Sequence, residues 1–525
     1  MPPPRTRPPS LEDTIRKILA VRELSLSQIS RASRSRAPAN AFQRIPHNLY
    51  SALRMRSFSP NVFQVFELSV LTGYRFADWL EVFGFSLRDV ARFQAEFPVL
   101  RTVELDASAC QPGNALPWFK ENQAPDFSAP LMPLGRWLAL TAPAQIRTPT
   151  TENSGHRFAK IGSQDAFAFP ELVPGSIVRV TAKRLSSTLP PFGGKRNKRL
   201  YLIAHGKGLI CAQLTRSGVD KFVLCSRQLP YAQIEFQEAR DAIVLGIADF
   251  EIRPLGKTEK PVVTPALGRF WTPTPLSRGA DIAHVGEFVR RARLRSGLTF
   301  REASRRTRII ARKLGDRRYY CAAASLSDYE TQRLPPRHIH KLISICAVYF
   351  ASVAEFLAAA GINLDRSGTL AIPTELLGGL KDSNNSASES SRFFNEMQRR
   401  YGEPPYFLHD SLGVLFGLPH LSARDVFWAG GLRGFIHPCL AGALFFVVDR
   451  KRKNPRAALS CPKWAQPVYV VQQRSGDYLC GFCTMQGDTL ILRSCFASMP
   501  KPLRLRNRVD AEVVGKVVGV VRRLR

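Results

Sequence analysis

Along the first hundred residues apolar side chains return every three or four positions, the spacing of a helix that hides one face and wets the other. This pattern runs from Leu11 to about Phe97 with few β-branched runs, and Gly73 and Gly84 fall where helices should stop. From about Arg157 to Leu255 the period shortens to two, over Ser176 to Thr181, Leu200 to Ala204, Leu209 to Leu214 and Lys221 to Leu224, which predicts short strands. Helical spacing resumes from Ala283 to Ile362, and strand spacing fills about Asp425 to Leu524. The intervening stretches read as connections: 98–156 is rich in Pro, Ala and Thr, 256–281 carries Pro261, Pro265, Pro273 and Pro275, and 364–424 includes the polar run Lys381 to Ser391. Residues 1–10 are a Pro- and Arg-rich tail, expected to be disordered.

The two helical blocks are versions of one another. Val65 to Phe85 (VFELSVLTGYRFADWLEVFGF) matches Leu342 to Ile362 (LISICAVYFASVAEFLAAAGI) at a separation of 277, pairing Leu68 with Ile345, Trp79 with Phe356 and Gly84 with Gly361. The strand blocks repeat at 268 or 269, pairing LICAQL (Leu209 to Leu214) with YLCGFC (Tyr478 to Cys483), Gly246 with Gly515, Arg253 with Arg522 and Leu255 with Leu524. Two kinds of module in the order A, B, A, B exclude a short-period solenoid and predict an internal pseudo-dimer.

Charge narrows the partner. The 525-residue chain carries 75 Lys and Arg against 42 Asp and Glu, a net +33, which favours a polyanion. Double-stranded DNA is the expectation and a membrane is not, because the longest apolar run, Cys439 to Val448, is about half a spanning helix and ends at Asp449 like a buried strand. The start MPPPRTRPPS has no apolar segment of a signal or anchor, so a cytoplasmic, nucleoid-associated location is expected. Cys480 and Cys483 form a CxxC, but no second pair stands nearby and the repeat partner Cys211 lacks one. Strand packing is expected there rather than a metal site, and nothing in the chain calls for a cofactor. No HExxH and no GxxxxGK[ST] occurs, His437 beside Pro438 reads as a turn, and Gly193 and Gly194 read as a basic hairpin turn.

Each helical block carries a helix-start signature. Ser25 is followed three residues on by Gln28, and Thr299 by Glu302, the spacing of a capping box. An amphipathic segment precedes each, Leu11 to Val21 and Val285 to Leu294, and LSDYETQRLPP (Leu326 to Pro336) follows in the second copy. On Ser25, Gln28, Thr299, Glu302, Ser325, Ser327, Glu330 and Pro336, residues 11–85 and 283–362 resemble the Cro and lambda repressor (XRE) class of helix-turn-helix domains. The resemblance implies a second helix presented to the major groove. The pattern departs from the family in the insertions between Ser33 and Tyr50 and between Thr307 and Ser325.

Between Glu287 and Arg318 twelve basic residues face three acidic ones, a composition suited to phosphate contact. The residues expected at DNA are Gln28, Arg31, Arg34, His47, Asn48, Ser51 and Arg54 in the first copy, and Arg301, Arg305, Arg308, Arg312, Arg317, Arg318, Ser325 and Ser327 in the second. Asp328 joins Ser325 and Ser327 at the front of the second reader. His47, Asn48, Ser51, Ser325, Ser327 and Asp328 would face base edges or serve as caps.

The strand blocks resemble the C-terminal domain of LexA and the phage repressors. Pro170, Pro174, Gly175, Leu224, Ser226, Tyr231, Ile234, Gly246, Arg253 and Leu255 fall on that family's pattern, as do Pro438, Gly442, Asp449, Leu492, Ser494, Gly515, Arg522 and Leu524 in the second copy. The family's Ser-Lys dyad is missing: Phe167 and Ala212 stand at its two positions in the first copy, Gly434 and Gly481 in the second. The resemblance therefore implies dimerisation without self-cleavage, and no enzymatic activity.

The expected fold class is α+β and multidomain, with two all-α helix-turn-helix-like domains (11–97 and 282–363) alternating with two small all-β LexA-like domains (157–255 and 425–525). The expected function is a sequence-specific, repressor-like DNA-binding regulator acting as one chain with an internal pseudo-dimer. A self-cleaving regulator with a nucleophile elsewhere, a charge-driven nucleic-acid adaptor, and a ligand sensor using the vacated dyad groove are the alternatives.

Overall fold

The structure is a computed structural model. It describes residues 10–105, 131–136, 156–181, 199–255, 284–373, 376, 421–429, 443–455, 467–493 and 502–524, except 37–40, 56–57, 135, 166, 170, 207, 219, 226–232, 332–335 and 422. The N-terminal tail up to residue 9, the Gly193–Gly194 turn, the run 381–391, His437 with Pro438, and Pro170, Ser226, Tyr231, Gly434, Gly442 and Ser494 lie outside the described residues. The described chain is α+β, with eleven α-helices and sixteen strands. It divides into two compact units, one of residues 1–94, 279–294 and 298–404, the other of 95–278, 295–297 and 405–525. Both helical blocks fall in the first unit and both strand blocks in the second. No single described helix is long and apolar enough to cross a membrane.

In the helical unit the first copy forms α1 (Leu11–Ala20), α2 (Leu26–Ser35), α3 (Leu49–Arg54), α4 (Val62–Thr72), α5 (Phe76–Val82) and α6 (Arg88–Glu96). The second forms α7 (Val285–Ser296), α8 (Phe300–Lys313), α9 (Ala323–Thr331), α10 (Ile339–Tyr349) and α11 (Val353–Ala359). The pairs α4 with α10 and α5 with α11 begin and end at the same repeat positions. Gly84 and Gly361 both take φ near +80° after α5 and α11. After α4 the left-handed position is Gly73, and after α10 it is Phe350 at φ 53°, a conformation that costs a side-chain-bearing residue about 1 kcal/mol. The core is built from Ile18, Phe63, Trp79, Leu80, Leu342 and Phe356, none more than 1% exposed.

The two helical copies meet at matching positions. Asn61 and His338, the residues before α4 and α10, form an antiparallel bridge, and the Val62 amide donates to Arg337 O at 3.0 Å. Each copy's trailing segment also docks on the other copy. Gly368 N–H donates to Ser69 Oγ and Leu370 N–H to Gly73 O, both at 3.0 Å. Reciprocally, Gln94 Nε2 donates to Cys346 O at 3.0 Å and Ala351 O at 3.2 Å, the repeat equivalents of Ser69 and Tyr74.

The sheet unit runs β1 (Val103–Leu105), β2 (Met132–Pro133), β3 (His156–Lys160), β4 (Ile177–Thr181), β5 (Leu200–His205), β6 (Gly208–Arg216), β7 (Lys221–Cys225), β8 (Gln233–Gln237), β9 (Ala242–Pro254), β10 (Val426–Trp428), β11 (Ala443–Asp449), β12 (Val468–Gln473), β13 (Tyr478–Gln486), β14 (Thr489–Arg493), β15 (Leu503–Arg506) and β16 (Ala511–Arg523). The first copy pairs in the order β1-β3-β4-β9-β5-β6-β7-β8, and the second repeats it as β2-β10-β11-β16-β12-β13-β14-β15. Every pairing between these strands is antiparallel.

The sequence pattern predicts two small separate β domains, whereas the structure has one 16-stranded sheet. The cause lies in the closing strands. β9 and β16 are 13 residues each, long enough to serve their own half and then pair with each other through Phe250–Pro254 and Gly519–Arg523. The segment 98–156, which reads as a connection, supplies β1 to the first half and β2 to the second, where Leu131 joins Phe427 and Phe446 in the core. Strands of two or three residues carry too little period to be seen in sequence.

Two irregularities repeat with the strands, although β11 carries a further slip between Ala443 and Phe445. β9 slips register between Arg179 and Val180 of β4 and between Leu202 and Ile203 of β5, and β16 does so between Val447 and Val448 of β11 and between Val470 and Val471 of β12. Gly246 and Gly515 sit at these bulges because a Cβ would lie 2.3 Å from Thr181 O in one and 2.5 Å from Asp449 O in the other. Cys480 packs with Phe427 and Phe446 on one face of β13, and Cys483 with Tyr469 and Leu490 on the other. Three residues apart on a strand, the two thiols point away from each other, and burial pushes the Cys483 thiol up to about 12.

Candidate nucleic-acid interface

α8 is the most basic described element, and its local chemistry fixes which residues face out. Thr299 caps it by accepting from Glu302 N–H at 3.2 Å. Ala303, Ser304, Arg306, Thr307, Ile310 and Ala311 are buried, so Arg301, Arg305, Arg308 and Arg312, at spacings of four, three and four, share the exposed face. At 1.5 Å per residue the stripe extends about 16 Å along the axis. Arg301, Arg305 and Arg312 form no ion pair with any described residue. Arg308 leans on Tyr320, its Nη2 donating to the phenol oxygen at 3.3 Å and its guanidinium 5.1 Å from the ring centroid.

The same helix keeps other arginines for structure. Arg306, 8% exposed, binds Glu302 at 3.1 Å. Glu302 therefore does not return to the cap amide, and only half of the expected capping box forms. In the first copy the box is complete, with Ser25 Oγ accepting from Gln28 N–H at 3.2 Å and Gln28 Oε1 accepting from Ser25 N–H at 2.6 Å. Gln28, expected at DNA, is thereby committed to the cap.

The residues after α8 are tied down. Arg318 N–H donates to Asp316 Oδ1 at 2.8 Å, Thr307 Oγ1 accepts from Cys321 N–H at 3.0 Å, Ser344 Oγ donates to Tyr319 O at 2.7 Å, and Lys341 Nζ donates to Tyr320 O. The Arg318 guanidinium, whose Nε donates to Asp316 Oδ2 at 2.9 Å, is the main cause holding the Asp316 carboxyl down at about 2. Arg317 and Arg318 are exposed, although Arg318 is paired with Asp316 at 2.7 Å. Residues 314–322 therefore form a braced excursion that leads into α9. There Leu326 and Glu330 face inward, Ser325 and Ser327 are half-buried, and Asp328 is exposed. Glu330 accepts from Arg293 Nε at 2.6 Å and Nη2 at 3.0 Å, anchoring α9.

The first copy presents a weaker version. Arg31 and Arg34 are exposed on α2 at the positions of Arg305 and Arg308, but Ser27 replaces Arg301 and α2 ends at Ser35, so no counterpart of Arg312 extends the stripe. Arg34 Nε donates back to Ser30 O at 3.4 Å. His47, Asn48, Ser51 and Arg54 are exposed around the six-residue α3, which packs on α1 and α2. Asn48 precedes α3 without making a side-chain cap bond, so its amide is not spent on capping.

In the sheet unit Phe167 and Ala212 lie in one buried cluster with Tyr201, Ile203 and Phe236. Both positions are thus occupied by buried apolar side chains. Gly481 lies in β13 opposite Tyr469. No spacing or motif points to Asp165, buried beside this cluster, where its Oδ2 accepts from Thr102 Oγ1 at 2.5 Å and Cys211 N–H at 3.0 Å. Burial pushes its carboxyl up to about 6.

No protein-family model matches the chain, and neither a curated protein nor a solved structure does.

Proposed function

We propose that the protein is a double-stranded DNA-binding regulator whose chain is its own dimer, with unlike readers in its two helical copies and no catalytic role. The observation that carries this reading is the exposed stripe Arg301, Arg305, Arg308 and Arg312, none of which forms an ion pair with a described residue, Arg308 leaning instead on the Tyr320 phenol. A net charge of +33 could be spread anywhere, whereas four guanidinium groups on one helix face form a line suited to successive phosphates. Base reading falls to Asn48, His47 and Ser51 in the first copy and to Asp328 with the partly covered Ser325 and Ser327 in the second.

The readers differ, so the site on DNA should be bipartite and non-palindromic. The apolar residues at the dyad positions support a non-cleaving sheet unit. The direct test is the salt dependence of duplex binding for the wild type and for the variant Arg301→Ala/Arg305→Ala/Arg308→Ala/Arg312→Ala. The slope of log K against log salt should become shallower by about 0.9 for each phosphate no longer neutralised, about 3 to 4 for all four arginines. An unchanged slope and affinity would remove the stripe from the interface.

A further inference from the structure

The seam joining the two halves of the sheet has two cations and one anion where its symmetry provides for two of each. β9 and β16 pair antiparallel about Ile252 and Val521, which puts Glu251 opposite Arg522 and Val520 opposite Arg253. Directly opposed residues and alternate residues of antiparallel strands share a face, so these four form one quartet. In the repeat, 251 corresponds to 520 and 253 to 522: both arginines are kept and the acid occurs once. The matched bonds Leu255 N–H to Val518 O and Leu524 N–H to Asp249 O, both 2.8 Å, extend the same pseudo-twofold.

The single carboxylate serves both cations. Arg253 Nε lies 2.8 Å from Glu251 Oε1, Arg253 Nη2 lies 3.2 Å from Oε2, and Arg522 Nε bonds Oε2 from the other half. Ser176 Oγ donates to Oε1 at 2.6 Å, and Nη2 of each arginine donates to Glu171 O. The side chains of Glu251, Arg253 and Arg522 are 0%, 4% and 14% exposed. Burial alone would push the Glu251 carboxyl up, but Arg253, Arg522 and Ser176 hold it below its ordinary range.

We propose that Glu251 is a shared counter-ion that makes this seam specific for unlike halves. A β16 pairing with the β16 of a second chain would bury two Arg522 side chains with valines between them and no carboxylate. A β9 pairing with another β9 would be balanced but would leave each β16 end without its partner. Only β9 with β16 pairs every strand and gives both guanidinium groups an anion, so the partner this surface fits is the other half of its own chain, where tethering supplies a high effective concentration.

Full-length variants test the claim by unfolding equilibria and sedimentation. Glu251→Val leaves two buried cations unpaired and should lower the folding constant of the sheet unit on the order of a hundred- to a thousandfold. Moving the acid across the pseudo-twofold, Glu251→Val/Val520→Glu, should recover at least tenfold of that loss, because position 520 faces Arg253 and neighbours Arg522. If Glu251→Val is insoluble, a soluble, monomeric transposed variant supports the proposal, and an insoluble one overturns it. An all-valine seam, Glu251→Val/Arg253→Val/Arg522→Val, should fold about as well as the wild type yet associate as concentration rises, because like pairing no longer buries a charge. Glu251→Val within threefold of the wild type, a transposed variant no better than Glu251→Val, or an all-valine seam that stays monomeric would each overturn the proposal.

Discussion

His340 and Phe63 occupy the same place in the two copies, and the difference between them sets an acid response. His340 is 4% exposed, its ring 4.7 Å from that of Phe85 and 4.8 Å from that of Tyr319, with Nε2 3.3 Å from Asp316. Burial first, then the nearby charges of Arg318 and His338, lower it to about 4 against the opposing pull of Asp316. A folded value below the ordinary 6.5 means the folded state binds fewer protons, so this group's contribution is full above pH 6.5 and is lost as pH falls toward 4. The wild-type helical unit should lose ~2 kcal/mol over that window. His340→Phe, which installs the first copy's residue, should flatten that part of the profile; thermal unfolding between pH 4 and 7 reads it, and parallel curves for the two proteins would contradict it. The cap pair Ser25 and Gln28 was legible because its partners are three residues apart. The His340 environment was not, because Phe85 and Asp316 reach it only through the fold.

At the scale of elements, spacing located α1, α7 and the strands β4 to β7 to within a few residues, since each carries a regular run of buried positions. It missed β1 and β2, whose places are set by the strands they meet, and it could not show that Glu302 turns to Arg306 instead of its cap. The bulge glycines show how closely the two strand blocks share a plan. Gly246→Ala and Gly515→Ala should each destabilise the sheet unit by about 1 to 3 kcal/mol, because the added Cβ meets a backbone carbonyl that cannot move aside. Gly84→Ala, with φ 81° and nothing within 4 Å of its Cβ, should cost only about 1 kcal/mol of backbone strain. Urea unfolding of the three variants should rank them in that order, and equal losses would mean the close approach is unimportant.

Across the whole molecule, modules that alternate along the chain sort by kind, helices with helices and strands with strands. The repeat was legible as matched positions, but the merging of two halves into one sheet depends on how far β9 and β16 run beyond their own partners, a length that alternation alone does not fix. The copies differ at the solvent face of α8, at the seam and in their caps, since Asn61 caps α4 where His338 makes no side-chain cap bond to α10, while the bulges at Gly246 and Gly515 and the long closing strands are shared. A common scaffold with unlike solvent faces suits a permanent pair of unlike DNA readers. The most direct test of that pairing is hydroxyl-radical footprinting, with stoichiometry, on duplexes selected by the full-length protein from a random pool. One chain per duplex protecting two unlike half-sites, with the stronger backbone protection on the side bound by α8, is the result expected; two chains on two like half-sites, or no selected sequence at all, would contradict it.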